Sequence, residues 1–262
     1  MYDPRGDPSS PGRDGIEMDQ QIEKTLYSLQ SRKIKGIFAE DFQDANRRIL
    51  DLIPSDAVVG IGDSTSMRQL RILDVLRERG TEILNPFELK PEDVDIRDYA
   101  LGRAKTMKEA ALCTVFLTGT NALTEDGRLV NVDAVGNRVA GMFWGHPISI
   151  LVVGRNKIVR DLDEAFERIR NVIAPTHFHI RTAELGGRKR ATPCVATGQC
   201  NDCRAEDRGC NIFTIIEGKP AQTALHVILV NQDLGLGWDP FWPEERIAGI
   251  VKRYKKFVWI PV

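Results

Sequence analysis

The stretch AVVGIGDSTSMRQL, residues 57–70, joins an apolar β-prone run, a turn rich in Gly and Ser, and the beginning of a helical pattern. Residues 57–61 predict a strand, and the spacing of Leu70, Leu73 and Leu76 predicts a helix. Similar short apolar runs recur between helical patterns, at 81–84, 112–117, 148–153, 212–216 and 225–230. This alternation favours an α/β fold with a mainly parallel sheet covered on both faces.

The 262 residues divide by composition into a tail and one α/β domain. Residues 1–16 are rich in Pro, Gly and charge, which predicts a disordered tail. Residues 17–262 are expected to form a single domain that begins with a helical segment at 17–53. A polar, cysteine-rich insertion at 186–211 interrupts the pattern.

Composition excludes several classes of protein. Hydrophobic residues make up 42% and charged residues 28%, and 36 Lys and Arg face 37 Asp and Glu. The net charge of −1 gives no general attraction to nucleic acid, so a nucleic-acid partner is not expected. No apolar run approaches the ~20 residues that span a bilayer, and residues 1–15 lack the apolar core of a signal peptide. We therefore expect a cytoplasmic protein without membrane insertion.

The turn at 62–66 is the first candidate for ligand binding. Its backbone amides and hydroxyls precede a helix, a position that suits a phosphate or a carboxylate. It matches neither the dinucleotide fingerprint nor the P-loop, and helix capping by Ser or Thr explains the same residues equally well. The candidate ligand-binding residues here are Gly62, Asp63, Ser64, Thr65 and Ser66, with Asp63 also a candidate cap.

A second candidate region is NALTEDGRLVN at 121–131, followed by GNR at 136–138. Ligands of open α/β sheets bind beyond the carboxyl ends of strands, so we expect a crevice between the 62–66 turn and the 121–131 loop. The ligand-binding candidates are Asn121, Asn131, Asn137 and Arg138, and the catalytic candidates are Glu125 and Asn121. Asp126 and Asp133 are further carboxylates near this crevice, although Asp126 is more typical of a turn. Arg138 and Lys157 are candidates to face an anionic substrate, with ordinary surface charge as the alternative.

These motifs, together with GIGDSTS at 60–66 and VVGRNKIV at 152–159, resemble the LUD (lactate-utilization) domain family. The resemblance covers residues 20–180 and continues into TIIEGKP at 214–220. It implies a three-layer α/β/α fold like that of the sugar-phosphate isomerase and CoA-transferase superfamily, and a role in oxidising lactate to pyruvate alongside iron–sulfur and flavin partners. Related isomerases carry an aspartate where this chain has Asn121, whose amide holds an oxyanion or hydroxyl but takes no proton at neutral pH.

Four cysteines form the strongest chemical signal in the chain. Cys194, Cys200, Cys203 and Cys210 follow the pattern C-x5-C-x2-C-x6-C. Zinc sites usually show two C-x2-C pairs, whereas irregular spacing around one such pair favours a [4Fe–4S] cluster. Zinc is the alternative, followed by disulfides or free thiols. Basic residues crowd the same segment and suit a negatively charged centre, namely Arg188, Lys189, Arg190, Arg204 and Arg208.

Two functions remain open from the sequence. The first is an iron–sulfur protein that takes part in oxidation of lactate or a similar 2-hydroxy acid, as a component of an electron-transfer complex. The second is an isomerase- or transferase-like protein that binds phosphate, CoA or an organic acid, with structural zinc. One further cysteine and two histidines are expected to have structural roles. Cys113 is expected in the core, and His177 and His179 in a half-buried strand or turn.

Overall fold

The structure, a computed structural model, describes residues 19–88 and 96–260. The predicted tail at 1–16 lies outside these residues, and the assignment of 17–262 to one domain stays a prediction.

A six-stranded sheet forms the centre of the fold. Its strands, in spatial order, are β1 (Lys35–Ala39), β10 (Ala224–Val230), β7 (Ile148–Gly154), β4 (Val115–Gly119), β2 (Val58–Ile61) and β3 (Glu82–Leu84). Every neighbouring pair is parallel. The central strands β7 and β10 are almost continuously apolar, as expected of strands covered on both faces. The predicted parallel sheet is confirmed.

A smaller sheet of four strands lies against the first, and the sequence did not predict it. Its strands, in order, are β8 (Ile158–Val159), β5 (Ala122–Thr124), β6 (Leu129–Asp133) and β9 (Ile212–Ile216). β5 and β6 form an antiparallel hairpin, and β9 joins β6 from a distant part of the chain. The second candidate region is therefore a hairpin and not an open loop.

Helices complete the layers. They are α1 (Gln20–Ser31), α2 (Phe42–Leu52), α3 (Thr65–Gln69), α4 (Ile72–Glu78), α5 (Ile96–Ala110), α6 (Asn137–Phe143), α7 (Leu162–Arg168), α8 (Ala174–His179), α9 (Cys194–Thr197) and α10 (Glu244–Phe257). A π-helical segment, Ile169–Ile173, joins α7 to α8, and a second one, Ile180–Glu184, continues α8, so that the four form one long helical stretch. Among the described helices, none combines the length and apolar character that crossing a bilayer requires.

Two apolar cores cover the faces of the large sheet and give it the predicted three-layer architecture. On one face, Val59, Leu117 and Ile150 pack against α2, α3 and α4. On the other face, Leu151 and Val227 pack against α1, α6 and the small sheet. A third core joins the small sheet to α7, to the two π-helical segments and to α10. The layer on the second face of the large sheet is mixed, because the small sheet as well as helices α1 and α6 covers that face.

Candidate functional site

A cavity of about 500 Å³ opens beyond the carboxyl ends of β2, β4 and β7. Residues 63–66 and Asn121, predicted from the sequence as ligand-binding, line it together. The turn and the start of the hairpin meet because β2 and β4 are parallel neighbours whose ends lie at one edge of the sheet.

In the 62–66 turn, one residue caps helix α3 and another is available to a ligand in the cavity. Ser64 is the residue that caps α3, accepting a hydrogen bond from the Met67 amide at 3.4 Å. Asp63 is not the cap, since its carboxylate pairs with Arg68 at 3.1 Å. Ser66 is 1% exposed, and its Oγ has no hydrogen-bond partner in the described structure. Ser66 is thus the hydroxyl of this turn that is free to meet a ligand.

Close packing explains the glycines of this region. Gly62 does not line the cavity, and a Cβ there would lie 2.9 Å from the Phe116 ring. At Gly119, the last residue of β4, a Cβ would lie 2.3 Å from Ser64 Oγ. Glycine at 119 therefore allows the turn to rest directly on the end of β4.

A buried network holds Arg138 on the cavity wall. Its guanidinium donates to Asn121 Oδ1 at 2.9 Å, Asn131 Oδ1 at 3.1 Å and the Gly119 carbonyl at 3.1 Å. Asn121 Oδ1 also accepts from the Val132 amide at 3.0 Å. Asn131 is buried in this network and does not line the cavity, in contrast to the prediction. Asn121, Asn131 and Arg138 thus tie β4, β6 and α6 together.

Other predicted residues take positions of their own. Asn137 lines the cavity at the start of α6. Asp133 lines it too, but its carboxylate accepts from the amides of Val135, Gly136 and Val139 and so caps this helix. Its carboxylate is therefore occupied by backbone amides.

Glu125 lies away from the cavity, which corrects its expected position. It follows β5 at the tip of the hairpin, where Gln21 and Lys24 of α1 donate to its carboxylate at 2.9 and 2.6 Å. These hydrogen bonds hold the pKa of Glu125 below its usual value. Asp126 lies in the same turn and binds Arg32 at 3.1 Å. The sequence predicts a loop here, and a hairpin turns these carboxylates toward α1 instead.

Lys157 lies at the inner wall of the cavity, in the short turn after β7. Its side chain is 6% exposed, and Nζ donates to the Thr120 carbonyl at 2.7 Å. Burial, with a smaller effect from Arg138, lowers the pKa of Lys157 to about 7. In the sequence, the position of Lys157 just after an apolar strand is the feature that marks it as a candidate to face the ligand.

Positive charge dominates the described lining. Six basic side chains line the cavity, namely Arg103, Arg138, Lys157, Arg181, Arg188 and Arg190, against the carboxylates of Asp63 and Asp133. Both carboxylates already face arginines, Arg68 at 3.1 Å and Arg138 at 3.8 Å. An anion is the ligand that such a lining favours.

Aromatic rings support the outer arginines, and sequence reasoning missed this part of the site. Arg103 lies over the Trp259 ring at 4.4 Å and Arg181 over the same ring at 5.3 Å. His177 is in helix α8, not in a strand or turn, and its ring contacts Tyr254 Oη and Arg181 at 2.5 and 3.0 Å. Burial lowers the pKa of His177, so this ring is neutral. These residues come from distant helices and carry no local motif.

The four clustered cysteines line one common second cavity beside the first. Cys194, Cys200, Cys203 and Cys210 surround it, and all four are free thiols. Burial and the neighbouring thiols raise the pKa of Cys194, and they raise that of Cys210 to about 11. Within the described residues, no group of three or more His, Cys, Asp or Glu side chains has the arrangement of a metal-ion site.

Arg208 and His179 position the cysteine segment. Arg208 donates to the carbonyls of Cys203 and Cys210, and His179 contacts the Val195 carbonyl at 2.9 Å. Cys113 is separate: it is buried, and its Sγ donates to the Val115 carbonyl at 2.9 Å. The sequence placed Cys113 in the core, where it lies.

The two cavities share part of their walls. Ala174, Phe178, Gly209 and Cys210 line both of them. The cationic crevice and the cysteine cavity are therefore adjacent.

Comparisons with known proteins identify a family and solved structures that are similar to this chain. The family model described as LUD domain matches residues 22–230. A crystal structure of a DUF162 family protein from Deinococcus radiodurans, at 1.70 Å resolution, is similar with 14% identity and a TM-score of 0.41. That match covers 80% of this chain and 94% of the other. No curated protein matches the chain. Tyr254 and Trp259 of the cavity lie beyond the matched residues.

Proposed function

The chain belongs to the LUD domain family, which is associated with lactate utilization, and from this premise we propose that it takes part in oxidising lactate or a similar 2-hydroxy acid. In this proposal the acid binds in the cationic crevice, and the four cysteines hold a [4Fe–4S] cluster. The protein acts as a component of an electron-transfer complex with iron–sulfur or flavin protein partners.

The shared wall of the two cavities is the observation that carries this proposal. Cys210 lines both, so a ligand in the crevice and a centre held by the cysteines are separated by few side chains. A site that only bound an acid would not need four thiols beside it. A metal centre with a purely structural task would not need to border the ligand.

The lining of the crevice supports an acid as ligand. Its basic side chains outnumber its carboxylates, and Ser66 offers a hydroxyl without a partner. At about 500 Å³ the crevice is in the range of small-molecule sites and larger than lactate needs. It therefore has room for a larger 2-hydroxy acid as well.

The chemistry of the donor set in the second cavity supports an iron–sulfur cluster, although the described thiols do not stand in the arrangement of a metal-ion site. Four free thiols face one space, and soft thiolates are the ligands that such clusters take. Arg170 and Arg208 line the same space and oppose the negative charge that four thiolates bring. When bound, a [4Fe–4S] cluster supplies one-electron transfer, so removal of the two electrons of lactate also needs a two-electron acceptor, for which a flavin protein is suited.

The chain's own residues have separate tasks in this proposal. The crevice binds and orients the acid through its basic groups, while Phe178 and Ala174 keep the wall between the two sites apolar. Arg208 holds the carbonyls of two cysteine residues and so fixes the loop around the thiols.

Metal and ligand analysis tests the proposal. Protein purified without oxygen is expected to hold iron and inorganic sulfide near four each per chain, with a broad absorbance band that bleaches on reduction. The same protein is expected to bind lactate and pyruvate in calorimetry. One zinc without colour would contradict electron transfer and leave an acid-binding protein with structural zinc. Iron–sulfur protein that binds neither acid would contradict the ligand.

A further inference from the structure

Lys157 is a buried cation without an acidic partner in the described structure. Its Nζ donates to a neutral carbonyl, that of Thr120 at 2.7 Å. Among the described residues, the charged group with a marked effect on it is Arg138, which is also positive. An ammonium group removed from water without a counter-ion is unfavourable by several kcal/mol, so such groups are paired or lose their proton.

Ser66 faces the same small space as Lys157. Both side chains border Gly235, where a Cβ would lie 2.8 Å from Ser66 Oγ and 3.2 Å from Lys157 Nζ. The φ of Gly235 is +66°, a conformation that favours glycine, and all three residues line the crevice. Glycine at 235 thus lets an amine without a counter-ion and a hydroxyl without a partner both approach the backbone in the same small part of the crevice.

We propose that this space is the carboxylate subsite of the crevice, where the acid's carboxylate is the missing counter-ion of Lys157 and accepts a hydrogen bond from Ser66. Binding then takes up one proton: the neutral amine, a proton from solvent and the carboxylate become an ammonium–carboxylate pair, and no covalent bond changes. The subsite rests on the proposed function for the class of ligand and is independent of the cysteine centre.

Burial explains why the proton arrives with the ligand. Without a ligand, burial lowers the pKa of Lys157 to about 7, so the amine is half neutral at that pH. A carboxylate in contact favours the charged form and moves the pKa of Lys157 upward. By linkage, affinity is nearly constant below pH 7 and falls by up to about tenfold per pH unit above it, until the pKa of the complex is reached.

Other charged groups around the crevice differ from Lys157 in this respect. Asp63 and Asp133 face arginines, and the arginine side chains keep their charge throughout the neutral range. The other titratable groups of the described lining are His177, Tyr99, Tyr254 and Cys210. Burial lowers the pKa of His177, whose two ring nitrogens contact Tyr254 and Arg181, and burial raises the pKa of Tyr254 and of Cys210. Replacing Lys157 therefore distinguishes its proton from that of His177.

Calorimetry with pyruvate, in buffers of different ionisation enthalpy, measures the proton directly. For wild type, whose free Lys157 has a pKa of about 7, we expect proton uptake on binding that is small at pH 6 and approaches one proton per ligand at pH 8. K157R keeps a cation that stays charged, so it is expected to bind pyruvate without proton uptake. K157M is expected to bind at least tenfold more weakly at pH 6. K105M, at an exposed lysine of α5, serves as the control and should behave as wild type.

The outcomes separate this inference from the proposed function. Pyruvate binding without proton uptake, or unchanged affinity in K157M, would overturn the subsite alone. Absence of pyruvate and lactate binding in wild type would overturn both the subsite and the ligand of the proposed function. Proton-linked binding in a protein that holds zinc would support the subsite and contradict electron transfer. Circular dichroism of K157R and K157M checks that a loss of binding does not reflect unfolding.

Discussion

The crevice and the cysteine segment lie side by side but are built in different ways. The crevice residues follow buried parallel strands, and Arg138 bonds to β4, to β6 and to Asn121 between β4 and β5. In contrast, residues 186–211 contain one short regular element, the four-residue helix Cys194–Thr197. The four cysteines there are only partly buried.

This difference indicates two sources of order. Strand ends fix the crevice before any ligand arrives, so its geometry is a property of the fold. The cysteine segment has few backbone ladders, and in our proposal its order comes from the centre that the thiols hold. A change in one region should therefore leave the other largely intact.

The largest expected effect is the loss of the metal centre on changing one cysteine. C200S is expected to lose iron and sulfide because each thiolate is a ligand, and C194S, C203S and C210S should do the same. Since Cys200 does not line the crevice, C200S should still bind pyruvate within about twofold of wild type. C113S is the matched control and should keep the metal. Full iron content in any of the four variants would argue against four-cysteine ligation.

Replacing Arg138 should damage the crevice instead. R138M removes one donor each from the oxygens of Asn121, Asn131 and Gly119 and leaves Asp133 without its arginine, so we expect a loss of about 3–5 kcal/mol in the free energy of unfolding. Urea unfolding monitored by circular dichroism gives this value. A loss below about 1 kcal/mol would show that the network does not hold the site together.

Stability should also depend on pH through Lys157. Its pKa is about 7 in the fold and about 10.4 in an unfolded chain, so between these values the unfolded state binds more protons. The free energy of unfolding therefore rises with pH across this window, by up to about 1.4 kcal/mol per pH unit, and this contribution is lost as the pH falls toward 7. K157M lacks the effect, so wild type minus K157M should increase from pH 7 to pH 9. A difference that stays flat would contradict the buried, uncharged amine.

The two serines of the 62–66 turn should differ although they are two residues apart. S64A removes the cap of α3 and should cost about 1 kcal/mol of stability. S66A removes a hydroxyl with no partner, so stability should hardly change while pyruvate affinity falls about tenfold. Thermal melting with and without pyruvate compares them. Equal ligand-dependent shifts in S66A and wild type would make the turn a scaffold only.

The smallest effect is expected at Glu125. E125Q weakens a pair with Lys24, whose side chain is 64% exposed, so stability should change by less than about 0.5 kcal/mol. Pyruvate affinity and any catalytic activity should stay as in wild type because Glu125 is outside the crevice. A marked loss of activity in E125Q would restore this residue as a catalytic candidate.

The sequence predicts those parts of the fold and site that depend on local pattern. Apolar runs with helical stretches between them predict the parallel sheet, and the rule on strand ends indicates Ser66 and Asn121 as neighbours of one crevice. The small sheet escapes prediction because β9 pairs with β6 across a long separation in sequence. That pairing and the hairpin decide where Glu125 points, which no local motif encodes.

The local sequence pattern also does not predict the charge state of a buried side chain, or which residues from distant parts of the chain line the crevice. Lys157 is recognisable as a candidate, but its low pKa comes from burial that the tertiary structure creates. Arg103 and Trp259 stack on each other from opposite parts of the chain, so neither has a sequence signal.

The most direct test of the adjacency between crevice and cysteine centre is the electron paramagnetic resonance spectrum of the reduced protein, with and without pyruvate. Pyruvate is added at concentrations that calorimetry shows to fill the crevice. Because Cys210 lines both cavities, we expect an iron–sulfur signal whose g values shift when pyruvate binds. A protein without such a signal, or a signal unchanged at full occupancy of the crevice, would contradict the account.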